Sequence, residues 1–256
     1  MAFKKEDVSL LDYTRSIVAV LVFFVLLLFF TPICVLLLLL SFGKLTNYVI
    51  KYFGPLIGRP VLYAAGIDFK IYNIRPDPNR PCIYIINHST TLDLVILIAL
   101  GLHGVRFVAK YELLYNPLFY ILGKSTGQIF IKREKSDEAI EHLRNTYTRV
   151  IENNLSIVMA PEGTRKHKGI IGTFKKGPFR MALDLNYPIV PIYIEGVRHL
   201  NGKNNIWVRR GNVTIHIKPD VETGDWTLDN LEKQITRIRK KYLQWANMDD
   251  EKTAFG

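Results

Sequence analysis

The chain has 256 residues, 48% of them hydrophobic, and 34 Lys and Arg against 23 Asp and Glu, a formal charge of +11. That length leaves room for one membrane segment and one domain of roughly 200 residues, and so basic a chain suits a nucleic acid, an anionic membrane surface or phosphorylated substrates. Its two cysteines, Cys34 and Cys82, both lie in apolar runs, which excludes a disulfide framework and a cysteine-built zinc site and reads as two small buried side chains.

In chain order, the first feature is the run Ile17 to Leu40, 24 residues broken only by Thr31 and Pro32. As a helix it is long enough for a hydrocarbon core of about 30 Å, and too long for a signal peptide. Pro32 removes a backbone donor, so the run reads either as one kinked span or as two short helices dipping into one leaflet. A membrane segment of this kind argues against nucleic acid as the partner of the positive charge. The flank before it carries three bases and three acids, while Lys44, Lys51 and Arg59 follow with no acid from 44 to 60. The positive-inside rule then places the rest of the chain on the cytoplasmic side. Residues 45 to 64, with Tyr48, Tyr52, Phe53, Leu56 and Tyr63, suit a segment lying among headgroups, and equally a core helix of the following domain.

Strand-like runs then recur: 69–73, 82–87, 105–109, 128–131, 155–160, 189–194, 206–208 and 213–217. Helical patterns lie between several of them, at 92–102, 137–153 and 174–185. This alternation predicts an α/β fold, a mostly parallel mixed sheet flanked by helices. Leu228, Leu231, Ile235, Ile238, Tyr242 and Trp245 mark a last amphipathic helix. The expected organisation is a membrane anchor over 1–42, an interfacial segment over 43–68, the α/β domain over 69–247 and a frayed tail over 248–256.

Chemistry concentrates in four blocks. In the first, His88 and Asp93 stand five apart. An imidazole can take a proton from a hydroxyl, and a carboxylate can hold its tautomer. Within one helix the two would diverge by about 140°. They can meet only if His88 lies in a turn and Asp93 in the first helical turn, with Thr90 as the N-cap. The same spacing also fits a capping box in which Asp93 only caps. The second block, residues 127–133, ends in Arg133, whose fork suits a phosphate. Pro161-Glu162-Gly163-Thr164-Arg165 is the third, a turn that projects Glu162 and Arg165. Just beyond it, Lys175 and Lys176 open a helix and concentrate positive charge there. Pro188-Ile189-Val190-Pro191 is the fourth, apolar throughout. The histidines at 103, 142, 167, 199 and 216 show no ligand clustering, so no metal is expected. No Gly-x-Ser-x-Gly elbow occurs either.

These four blocks, in this order, resemble the glycerolipid acyltransferases, most closely those that acylate 1-acylglycerol-3-phosphate. The resemblance spans about residues 72 to 199. It implies His88 and Asp93 as the catalytic pair, and Arg133, Glu162, Gly163, Thr164, Arg165, Lys175 and Lys176 around the substrate. Arg133 and Arg165 would hold the acceptor's phosphate, Glu162 would order the loop or the glycerol backbone, and the fourth block would shape an acyl channel. Thr90 and Ala160 stand where that family usually has Ser and Phe. The implied reaction moves a fatty acyl group from a thioester to the free hydroxyl of a lysophospholipid in the bilayer. No cofactor is implied; acyl-CoA or acyl carrier protein would be the donor substrate. The alternatives are another lysolipid acceptor on the same fold, or a non-catalytic protein that binds anionic lipid.

Overall fold

The structure is a computed structural model that describes residues 8–72, 75, 77–115, 117–131, 137–165, 171–201 and 205–255. Helix α1 spans Leu10–Leu40, about 46 Å at 1.5 Å per residue. By length and composition it is the one helix among the described residues able to cross a membrane. It starts seven residues before the apolar run because Ser9 and Asp12 form a capping box. It continues through Pro32 without splitting.

α1 is not a free-standing anchor, contrary to the division at residue 42. Its polar first turns grip the domain: Ser16 Oγ accepts from Val208 N at 2.9 Å, and Asp12 Oδ1 accepts from Arg210 N at 3.2 Å. The Tyr13 ring meets Trp207 edge-on at 4.8 Å between centroids. Further along, Ala19 is buried in the main core and Val22, Phe23 and Leu26 pack against it. The opposite face leaves Leu21, Val25, Leu28 and Phe29 exposed, as a lipid-facing surface would.

α2 (Thr46–Ala64) returns antiparallel to α1 and behaves as the core-helix alternative requires, burying Val49, Val61 and Leu62. Gly58 permits its crossing with α3 (Leu92–Leu100): a Cβ there would stand 2.6 Å from Ala99 N. Tyr48, Tyr52 and Tyr63 remain outside.

The remaining elements are β1 (Ile67–Tyr72), β2 (Ile83–Ile86), β3 (Val105–Lys110), α4 (Pro117–Ser125), β4 (Ile129–Ile131), α5 (Asp137–Glu152), β5 (Ser156–Met159), α6 (Lys176–Leu185), β6 (Ile189–Glu195), α7 (Val197–Leu200), β7 (Gly211–Ile217) and α8 (Leu231–Phe255). One seven-stranded sheet runs β1-β7-β6-β2-β5-β3-β4. The five strands from β6 to β4 are parallel, β7 is antiparallel to β6, and β1 is parallel to β7. This is the mixed, mostly parallel sheet the alternation predicts. β2 lies at its centre with all four residues buried, so it reads as a continuous apolar run. One face of the sheet packs under α2 and α3, the other under α5, α6 and α8.

Three local expectations change. Residues 206–208 form no strand; only an isolated bridge joins Asn201 to Val208, and Ser16 of α1 satisfies Val208. A 3-10 turn over Tyr111–Tyr115 and α4, with Pro117 at its first position, fill a stretch whose short apolar pattern predicts nothing. α8 continues to Phe255, so the tail expected to fray is helical.

Candidate active site

β2 ends at Ile86, and the chain leaves it through Asn87, which is buried. The Asn87 carboxamide donates to Ile194 O at 3.0 Å and accepts from Ile194 N at 2.8 Å. It thus imitates a peptide unit and extends the pairing of β2 with β6 past the last regular residue. A polar residue closing an apolar strand was the available sequence signal for this role, and spacing alone does not reveal it.

His88 follows, at the carboxyl end of the central strand, where open α/β sheets bind ligands. Its Nδ1 lies 2.9 Å from Asp93 Oδ2. Asp93 is fully buried in the first turn of α3. The same oxygen accepts from Ser89 N at 2.8 Å and Thr90 N at 3.0 Å, and Oδ1 accepts from Thr90 Oγ1 at 3.0 Å. Asp93 therefore holds the His88 ring and the turn that leads into α3 at once. The N-cap position is Thr91, one residue later than expected, and Thr90 is instead a donor to Asp93.

A carboxylate against Nδ1 fixes the tautomer with the proton on Nδ1, leaving a lone pair on Nε2. Nε2 makes no hydrogen bond among the described residues, and the side chain is 29% exposed. The pair can take a proton from a hydroxyl brought to Nε2.

The third block wraps this turn from behind. Glu162 follows β5, is buried, and accepts from His88 N at 3.1 Å and from Gly172 N at 2.7 Å. It ties the histidine's backbone to the loop before α6, so of its two implied roles the geometry supports the ordering of the loop. Gly163 takes φ +65°, a left-handed bend that favours glycine. Thr164 is exposed on the same loop. Arg165 reaches the turn after His88, with Nη1 donating to Thr91 Oγ1 at 2.9 Å. A permanent cation thus stands three residues from His88, and Thr91 is a site residue that motif reading misses.

The two lysines part company. Lys175 N donates to Pro161 O at 2.8 Å, and its side chain lies across Gly163. Lys176 turns away and pairs with Glu232 of α8 at 2.6 Å on the surface. A pair so exposed adds little stability, and Lys176 is not brought to the site. Arg133 lies outside the described residues.

An apolar cavity of about 480 Å³ is lined by Leu94, the residue of α3 that follows Asp93. Phe23 and Leu27 of α1, Phe53 of α2 and Phe107 of β3 line it too. It runs between the two N-terminal helices and the sheet. No residue of Pro188–Ile192 lines this cavity: the fourth block is β6, a core strand buried on both faces.

A family model described as Acyltransferase matches residues 68–195. A 1-acyl-sn-glycerol-3-phosphate acyltransferase of Limnanthes douglasii is 31% identical over 210 residues, covering 82% of this chain and 74% of that protein. One of the same name from Haemophilus influenzae is 31% identical over 204 residues, covering 78% and 82%. Among solved structures, the 1-acyl-sn-glycerophosphate (LPA) acyltransferase of Thermotoga maritima shares the fold, with a TM-score of 0.67 and 23% identity over 90% of this chain and 96% of that one.

Proposed function

The chain belongs to the acyltransferase family, and on that premise we propose that it acylates the free hydroxyl of 1-acylglycerol-3-phosphate to give phosphatidic acid. The observation that carries the reading is the junction at Asp93 and Leu94. Asp93 orients the base, and Leu94, one residue on, lines an apolar cavity suited to a fatty chain.

His88 Nε2 takes the hydroxyl proton as the oxygen attacks the thioester carbonyl. Asp93, a positioning residue acting through His88, stabilises the imidazolium. The tetrahedral intermediate collapses, the carbon–sulfur bond breaks, and the imidazolium returns its proton to the departing thiolate. No covalent acyl-enzyme is required. Arg165, with Arg133 from the sequence pattern, faces the acceptor's phosphate through a guanidinium fork. The donor is acyl-CoA or acyl carrier protein. The chain works at a membrane, with α1 as the lipid-facing helix and the bases at 44, 51 and 59 favouring the cytoplasmic side.

Purified protein in detergent, offered lysophosphatidic acid and a panel of other lysolipids with each donor, tests this. Phosphatidic acid as the main product supports the acceptor. Preference for another lysolipid would reassign the acceptor, and no transfer with any pair would overturn the reading.

A further inference from the structure

Two arginines of this chain are almost equally buried, and their surroundings differ. Arg75 is 5% exposed and is held by Asp220, with Nη2 donating to Oδ2 at 2.6 Å. Arg106, on β3, is 6% exposed, and among the described residues its guanidinium makes one hydrogen bond, Nη1 to Val105 O at 2.9 Å. No acidic side chain pairs with it among the described residues. A charge taken out of water without a counter-ion is costly, and proteins rarely leave one so.

Two further cations lie nearby with no acidic partner among the described residues. Arg149 of α5 acts on Arg106 as a neighbouring positive charge, and its Nη2 donates to Gly127 O at 3.1 Å. Lys124, near the end of α4, is exposed and has no ion-pair partner among the described residues. Burial first, and then Arg149, pushes the Arg106 guanidinium down to about 10, so it remains charged at neutral pH.

Arg149 and Lys124 line one pocket, and Arg106 lies behind its Gly127. A cavity of about 240 Å³ at the open edge of β4 is lined by Lys124, Arg149, Gly127, Gln128, Asn145 and Thr146, among others, and by no acidic residue among the described residues. Gly127 separates it from Arg106: a Cβ on this glycine would stand 3.5 Å from Arg106 Nε. Gly127 precedes β4, at the amino end of the parallel strands, whereas His88 leaves the carboxyl end of β2.

We propose that this pocket at the β4 edge binds a phosphate-class anion, held by Arg149 and Lys124 and neutralising the buried charge of Arg106. The anion is a phosphoryl group distinct from the acceptor phosphate beside His88. Two sources present that chemistry: the phosphates of a soluble coenzyme A-type donor, and the headgroup of an anionic phospholipid in the bilayer. The site stands on the geometry of Arg106, Arg149 and Lys124 and holds whether or not the acylation reading does.

The test uses the full chain in uncharged detergent micelles at constant ionic strength, with inorganic phosphate replacing chloride. Phosphate should raise the thermal midpoint of the wild type. Arg149→Gln and Lys124→Gln should each weaken the apparent affinity by about tenfold or more. Arg106→Met should abolish the response and, in chloride, unfold no earlier than the wild type, because the uncompensated charge is gone. Arg165→Ala must keep the part of the response that Arg149→Gln and Lys124→Gln weaken, since it takes away only phosphate bound beside the catalytic turn. A wild type indifferent to phosphate over chloride overturns the proposal, as do Arg149→Gln and Lys124→Gln proteins that respond like the wild type. Should Arg106→Met fail to fold, those two surface variants decide. Coenzyme A and phosphatidylcholine vesicles with and without phosphatidic acid then identify the source. The probe that displaces phosphate from the wild type, and binds Arg149→Gln at least about tenfold more weakly, is the occupant's class; displacement that is unchanged in Arg149→Gln overturns the assignment.

Discussion

Oδ2 of Asp93 lies 2.9 Å from Nδ1 of His88 while also receiving the N–H groups of Ser89 and Thr90. One oxygen therefore fixes the ring and the backbone that carries it. Any motion of the carboxylate moves both.

His88→Ala should keep the fold and lose transfer by on the order of 10²–10⁴-fold or more. Asp93→Asn should lower kcat strongly with little change in either KM, because binding surfaces remain while the imidazolium loses its counter-charge. Steady-state kinetics on proteins of matched thermal midpoint measure this. A His88→Ala protein with near-normal turnover would remove the base from the mechanism.

Glu162→Ala removes the acceptor of two backbone N–H groups, those of His88 and Gly172. Each buried donor left unpaired costs about 1–3 kcal/mol. We expect a clear fall in the unfolding midpoint together with a loss of kcat, and faster amide exchange at His88. Full activity in a destabilised variant would show that the tie orders the loop without serving the histidine.

Arg165→Ala and Arg133→Ala should each raise the KM for lysophosphatidic acid at least about tenfold, near 1.4 kcal/mol, and leave the donor's KM almost unchanged. Arg165→Lys should rescue only in part, since a point charge cannot reproduce a two-pronged fork. Kinetics with each substrate varied in turn separate acceptor from donor. A change confined to the donor would reassign both arginines.

Deletion of residues 1–42 should destabilise the domain as well as weaken its hold on lipid. It strips Ala19 and Phe23 from the core and leaves Val208 N without Ser16. Thermal unfolding in detergent measures the loss, and an unchanged midpoint would show α1 to be a tether only.

Much of this architecture is legible in the sequence, and the parts that are not have identifiable causes. The β-rich runs and the amphipathic period of α8 report burial directly, and they place the sheet and its last helix well. The His88–Asp93 contact is legible only as a condition, since spacing cannot decide between cap and orienter; in the structure the carboxylate meets the ring and the backbone of the turn before the N-cap, Thr91. Lys175 and Lys176 look equivalent in sequence, and only the approach of Glu232 on α8 separates them. Asn87 and Thr91 act across the chain on Ile194 and Arg165, contacts 107 and 74 residues away that no local pattern encodes. The anchor boundary fails for the same reason. An apolar run reports what a helix avoids, while Asp12 and Ser16, its polar exceptions, report what it holds.

A generic membrane-spanning segment spliced onto residue 43 would bring the domain to the bilayer and still not replace α1. Phe23 and Leu27 form one wall of the apolar cavity, and Asp12 and Ser16 hold the loop at 208–210 beside the end of the sheet that carries His88. Such a chimera would sit on its substrate's surface with a breach along one side of the cavity. The first helix is thus a component of the enzyme's interior, and its exposed apolar face is the outside of a wall that the chain builds from within.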